Sequence, residues 1–268
     1  MAREGPGGLR AHIAAEAARL MYEEEVKQYF TAKHLAARRI LGRVEGRRLR
    51  FRPQDLPSNG EIRDALDALA RRVEGPPRET RLAAMRLCAL VAMRALAPFR
   101  PRLIGSVSTG HIRRQSDIDL HVFTDALEAL EAHLAGLGWR YTLEHVSIIR
   151  SGKVCAYTHA HVEAAWPLEL TAYPTRDLRH RPRSSTDGKP IVRRNDTALE
   201  ALIAAEHPLA WARFCHDGFI DPCDDADAPF DDLVCALDDA LDPALAPRPD
   251  EVCDDDAPYE PLAGFEDL

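Results

Sequence analysis

The chain has 268 residues, 46% of them apolar and 29% charged, with a net charge of −8, so it is long enough to bury a sizeable core as one large or two modest domains. No run of roughly eighteen apolar residues is present to span a membrane, and Met1–Gly8 leads into an amphipathic stretch rather than the apolar segment of a signal peptide. A soluble, cytoplasmic protein is expected, and its scattered cysteines, with no C-x-x-C pair, read as reduced thiols rather than zinc ligands or disulfides.

Charge is unevenly spread. From Cys215 onward fifteen Asp and three Glu face the single Arg248, about −17, which leaves about +9 for residues 1–214. The body is basic and the tail acidic. Abundant Asp and Pro beyond Cys215 argue for a disordered tail, one able to fold back over the basic body and compete with phosphates.

In chain order, Leu9–Gly42 reads as one or two helices, because Ile13, Ala17, Leu20, Met21, then Val26, Tyr29, Phe30, Leu35, Ile40 and Leu41 recur near helical spacing. A dense arginine run follows from Arg38 to Arg52. It is a solvated face or, through the forked geometry of arginine, a grip on nucleic-acid phosphates. Ser58 and Glu61 have capping-box spacing and open a helix over Glu61–Val73, closed by Gly75-Pro76-Pro77. A core helix from about Arg81 to Leu96 carries Leu82, Met85, Leu90, Met93 and Leu96, and Pro98 ends it.

Leu103–Asp125 is the stretch whose chemistry is readable. A strand ends in Gly105-Ser106, a loop follows, and Ser116-Asp117-Ile118-Asp119-Leu120-His121-Val122 then alternates. On a strand Ile118, Leu120 and Val122 face one side, and Asp117, Asp119 and His121 the other. Neighbouring carboxylates disfavour each other's ionisation, and a hard divalent cation such as magnesium or manganese offsets that repulsion. His121 on this face reads as a rim residue. Arg113 and Arg114, and further on Lys153, are solvated charges or phosphate ligands.

A helix over Ala126–Gly136 follows, then strands over Tyr141–Ile149 and Lys153–Val162 joined by a Ser151-Gly152 turn, and a third strand from Trp166 to Tyr173 with Leu168, Leu170 and Ala172 on one face and Glu169 and Thr171 on the other. Pro174–Pro190 is irregular and basic, and Leu199–Ala205 reads as a short final helix. The expected organisation is a helical region over 1–78, an α+β domain over 79–214 and the acidic tail over 215–268.

Gly-Ser, a loop, and then Ser-Asp-Ile-Asp-Leu resembles the nucleotidyltransferase superfamily of the DNA polymerase β type, especially its small bacterial members. The resemblance covers about residues 82–173. It implies a mixed β-sheet flanked by helices. It implies that Asp117 and Asp119 hold Mg2+ or Mn2+ at a nucleoside triphosphate such as ATP, and that Gly105 and Ser106 receive its phosphates. Glu169 matches the third carboxylate, metal ligand or base, with Glu163 as a nearby rival. The loop Val107-Ser108-Thr109-Gly110-His111 departs from the family, whose Gly-Ser is often followed by a Gly or Arg-rich loop. The function implied is transfer of a nucleoside monophosphate to a hydroxyl on a small molecule, an RNA end or a protein. The competing expectation is a binding module on the same fold, antitoxin-like, that contacts nucleic acid or a protein.

Overall fold

The structure is a computed structural model that describes residues 6–24, 26–41, 53–150, 153–184, 186–218 and 220. The arginines from Arg43 to Arg52, the Ser151-Gly152 turn, the side chains of Lys153 and Cys155, and the acidic tail with Cys223, Cys235 and Cys253 lie outside the described residues. Among the described residues Cys88 and Cys215 form no disulfide, and no helix is long and apolar enough to cross a membrane.

Three helices, α1 (Pro6–Glu23), α2 (Tyr29–Leu41) and α3 (Asn59–Glu74), share their own apolar cluster. Alanines at Ala32, Ala36 and Ala37 present α2 to the long side chains Ile13, Leu20 and Met21 of α1 and Ile62 of α3. Phe30, expected on the buried stripe, is instead 69% exposed, stacked on His34; the alanine face of α2, not its aromatic, turns inward. The Ser58 hydroxyl accepts from Glu61 N–H while the Glu61 carboxylate accepts from Ser58 N–H, so the expected capping box is formed. Gly75, at φ +62°, ends α3 and the prolines behind it start α4 (Pro77–Ala95).

Helix α4 is buried around most of its circumference, and the sequence reading missed why. Arg78, Arg81 and Arg86 are all fully buried and all paired. Arg81 donates to Glu74 at 2.7 Å. Arg78 donates to Asp67 at 2.6 Å and to the carbonyls of Gly110 and Ile112 at 2.7 and 3.2 Å. Arg86 donates to the Val107 carbonyl at 3.1 Å, to Glu206 at 2.6 Å and to His207 at 3.0 Å. Buried guanidinium groups persist only where most of their N–H groups find acceptors, and here several of those acceptors are backbone oxygens of one loop, 107–112.

The α+β part is a mixed five-stranded open sheet flanked by helices. Its strands are β1 (Arg102–Leu103), β2 (Ile118–Phe123), β3 (Tyr141–Arg150), β4 (Lys153–Val162) and β5 (Leu168–Tyr173), in the order β1-β2-β5-β4-β3. Only β2 and β5 run parallel. One sheet face packs Leu120, Val122, Leu168, Leu170 and Ala160 against α4, α6 (Leu127–Gly136) and α7 (Asp196–Glu206) in a second cluster. The other face carries polar residues.

Three expectations need correction. β1 does not run into Gly105-Ser106, which instead open a short helix, α5 (Gly105–Thr109). Asp117 lies one residue before β2 rather than on it. The body does not stop at 214, because α8 (Pro208–Asp217) packs Phe214 into the core and is capped by Gly218 at φ +70°. Pro208 at its first turn and the Trp211 and Phe214 pair three residues apart were the available signals.

Candidate metal centre

The parallel pairing of β2 with β5 sets Asp119 directly beside Glu169. Asp119 is held through its backbone, whose carbonyl accepts from Ile104 N–H at 3.0 Å. Asp117 is presented by a turn in which the Ser116 hydroxyl accepts from Arg113 N–H at 3.0 Å and Ser116 N–H donates to the Arg113 carbonyl at 2.9 Å. One carboxylate oxygen from each of Asp117, Asp119 and Glu169 lies within 4.8 Å of the others. The three predicted acidic residues therefore converge.

Gly105 completes the wall. It sits at φ +70°, and a Cβ there would lie 2.0 Å from Oδ2 and 2.9 Å from Cγ of Asp119. Only glycine fits, for reasons of both backbone and space. The half-buried Ser106 follows it. Behind them, α5 and its loop are fixed by the arginine clamp of α4 and by Arg194, which donates to the Ser108 carbonyl at 3.4 Å.

The electrostatics fit a cation. Burial first, and then the charges of Asp117 and Glu169, push Asp119 up to about 8. Among the described residues no Lys or Arg pairs with Asp117 or Asp119, whereas the other strongly buried carboxylate, Glu74, has Arg81. Two carboxylates without an arginine or lysine partner, beside Glu169, suit Mg2+ or Mn2+.

Glu163, the rival third acid, lies beyond the end of β4, exposed and 3.4 Å from Arg140, away from the other two. Glu169 also has a partner the sequence reading missed. His159 of β4 places Nδ1 2.6 Å from Glu169 Oε1, and Thr171 Oγ1 lies 3.3 Å from the same nitrogen. The register explains it, since His159 pairs with Thr171 and His161 with Glu169. Alternation in Tyr157-Thr158-His159-Ala160-His161 was the signal, but it needed the neighbouring strand to be known.

His121 is not a rim residue. It is buried, Arg193 Nε donates to its Nδ1 at 2.9 Å, and its ring lies 4.6 Å from that of Tyr173. Burial and then Arg193 hold its pKa down at about 3, so it stays neutral with its proton on Nε2. The Arg113 side chain and the Arg114 backbone are both committed elsewhere. Arg113 donates to the Met21 carbonyl at 3.0 Å, and the Arg114 backbone N–H to Glu74 at 3.1 Å, so this loop is tied to the helical region instead.

Comparison with protein-family models, with curated proteins and with solved structures gave no match. The functional reading therefore rests on the site alone. Chemically, three clustered carboxylates beside a glycine turn can hold a hard cation, and the Glu169–His159 pair can take a proton at a carboxylate oxygen.

Proposed function

We propose that the protein is a metal-dependent nucleotidyltransferase of the DNA polymerase β type, moving a nucleoside monophosphate from a nucleoside triphosphate, ATP first, to a hydroxyl acceptor. One observation carries this reading: Asp117, Asp119 and Glu169, far apart in the chain, close to within 4.8 Å beside the Gly105-Ser106 turn. We place the reaction in the cytoplasm, with its nucleotide supply.

Asp117, Asp119 and Glu169 would hold Mg2+ or Mn2+, which when bound would supply positive charge for the phosphate oxygens. Gly105, lacking a side chain, lets the triphosphate approach the strand, and Ser106 offers its hydroxyl to the terminal phosphates. The acceptor oxygen bonds to the α-phosphorus, the bond from that phosphorus to the bridging oxygen breaks, and pyrophosphate leaves with the electron pair. The acceptor's proton passes to the Glu169 carboxylate, whose orientation His159 fixes through its Nδ1. Buried His121, kept neutral, adds no competing positive charge at the floor of the site.

The test is transfer of label from α-phosphate-labelled ATP, with Mg2+, to fractions of a cell extract. Asp119→Asn should abolish it. Transfer that persists in that variant sinks the proposal and leaves the binding-module reading in its place.

A further inference from the structure

We propose that the acceptor is the hydroxyl end of a single-stranded nucleic acid, laid along the open sheet face and gripped by the basic segment Pro174–Arg194. The acceptor role rests on the nucleotidyltransferase reading; the binding surface does not.

The segment holds seven cations against Asp177 and Asp187, and Asp187 is already engaged by Arg63 at 3.2 Å. Arg176, Arg179, Arg181, Arg183 and Lys189 are exposed. Among the described residues Arg179, Arg181 and Arg183 have no carboxylate partner, while Arg176 lies near Asp125 and Lys189 near Asp187. Several exposed or half-buried arginines elsewhere are matched to acids, as in Arg10 with Glu61, Arg39 with Glu24 and Arg94 with Glu200. Burial lowers the pKa of Arg193; Tyr173 and Asp177 oppose that shift, and Arg102 and Arg181 add to it. An exposed strip in which cations outnumber acids is the footprint of a phosphate chain.

Its position ties it to the acidic cluster. The segment begins at the C-terminal end of β5, where Thr175 N–H donates to Asp125, and ends beside β1, where Leu103 and Arg194 exchange backbone hydrogen bonds at 2.8 and 3.0 Å. It thus skirts the rim of the face on which Asp119 and Glu169 stand. Arg193 reaches over that face to His121, two residues along β2 from Asp119.

Between the carboxylates and the arginines lie rings. Two strand positions beyond His121 and Thr171, Tyr157 and Tyr173 are part-exposed and 5.1 Å apart; Phe123 beneath them is buried, and Arg193 lies over Phe123 and Tyr173 at 5.2 and 5.3 Å. From Asp119 to the register position where Tyr173 pairs with Phe123 is about 13 Å at strand rise, a reach of a few nucleotides. Aromatic rings beside a basic groove bind unpaired bases, whose faces are free to stack, in preference to a duplex. A small neutral or cationic acceptor would use neither feature.

The test uses the full chain and a fluorescein-labelled fifteen-nucleotide oligoribonucleotide carrying a free 3′-hydroxyl. Anisotropy should show binding that weakens steeply with salt. Arg176→Ala, Arg179→Ala and Arg181→Ala together, all at exposed positions, should lower the slope of log K against log salt by about 2, at about 0.7 per lost phosphate contact. Tyr157→Ala should weaken binding at least tenfold with that slope unchanged. Equal affinity for the duplex, equal displacement by poly-aspartate, or an unchanged slope in the triple variant overturns the surface. With labelled ATP and Mg2+, the 3′-hydroxyl oligonucleotide should take up label and a 3′-deoxy one should not. Labelling of another acceptor but not of this one overturns the acceptor role while the transferase reading stands. Labelling of nothing at all overturns that reading and the acceptor role together.

Discussion

Gly105 and Asp119 meet so closely that a single added methyl group would collide with the carboxylate, 2.0 Å from Oδ2. Gly105→Ala should therefore do two things. It should cost about 1–2 kcal/mol of stability from the left-handed backbone alone, and it should cut label transfer at least tenfold by turning Asp119 aside. In an Asp119→Gly background the same substitution should cost less in a thermal melt, because the colliding atoms are gone. Equal costs in both backgrounds would mean that the contact does not constrain the site.

Glu169 and Glu163 make opposite predictions. Glu169→Gln should lower label transfer by about 10²–10⁴, the range for losing a positioned proton acceptor. Glu163→Gln, at an exposed residue facing Arg140, should leave it within about twofold. Steady-state transfer rates of the two variants decide the matter, and a reversed order would move the third carboxylate to Glu163.

Asp119 links cation binding to pH. Its carboxyl, at about 8 when folded against an ordinary 3.8, holds a proton across that interval that the unfolded chain has released. Its contribution to stability without a divalent cation is therefore full below 3.8 and lost as pH rises through about 8. Binding of Mg2+ must expel the proton. Calorimetric titration should show tighter binding near pH 8.5 than near pH 6, with proton uptake by buffer at the lower pH, and Asp119→Asn should remove the pH dependence.

The Glu74–Arg81 pair should be the most costly single ion pair to break. Their side chains are 1% and 2% exposed, and Glu74 also accepts from Tyr22 OH at 3.0 Å and from Arg114 N–H at 3.1 Å. Glu74→Gln leaves a buried guanidinium uncompensated and should cost about 3–5 kcal/mol in denaturant unfolding. Glu74→Leu with Arg81→Met should recover much of it.

What was legible in the sequence was local. The Ser58 cap, the alternation around Asp119 and the Gly75 stop are each written within a few residues, and each is present. The acidic triad was legible because a rigid alternation puts Asp119 and Glu169 on polar strand faces. What was hidden depends on partners far along the chain. Arg78, Arg81 and Arg86 look like an ordinary charged helix face until the carbonyls of Val107, Gly110 and Ile112 are brought to them. His159 means nothing until β4 is set against β5. His121 was misjudged because Arg193, seventy-two residues later, buries it. Helix α8 was overlooked because it is short and runs into the acidic tail.

The parallel pairing of β2 with β5 also has a consequence for the order of events during synthesis. Fifty residues, including a helix and a hairpin, separate Asp119 from Glu169, and β5 must settle between β2 and β4 before the third carboxylate arrives. A nascent chain that has made only β2 carries two acids and no third, and closure of so long a loop is slow. The acidic cluster is therefore incomplete until β5 has paired with β2, and a chain truncated before Glu169 lacks its third carboxylate however well its helices have folded.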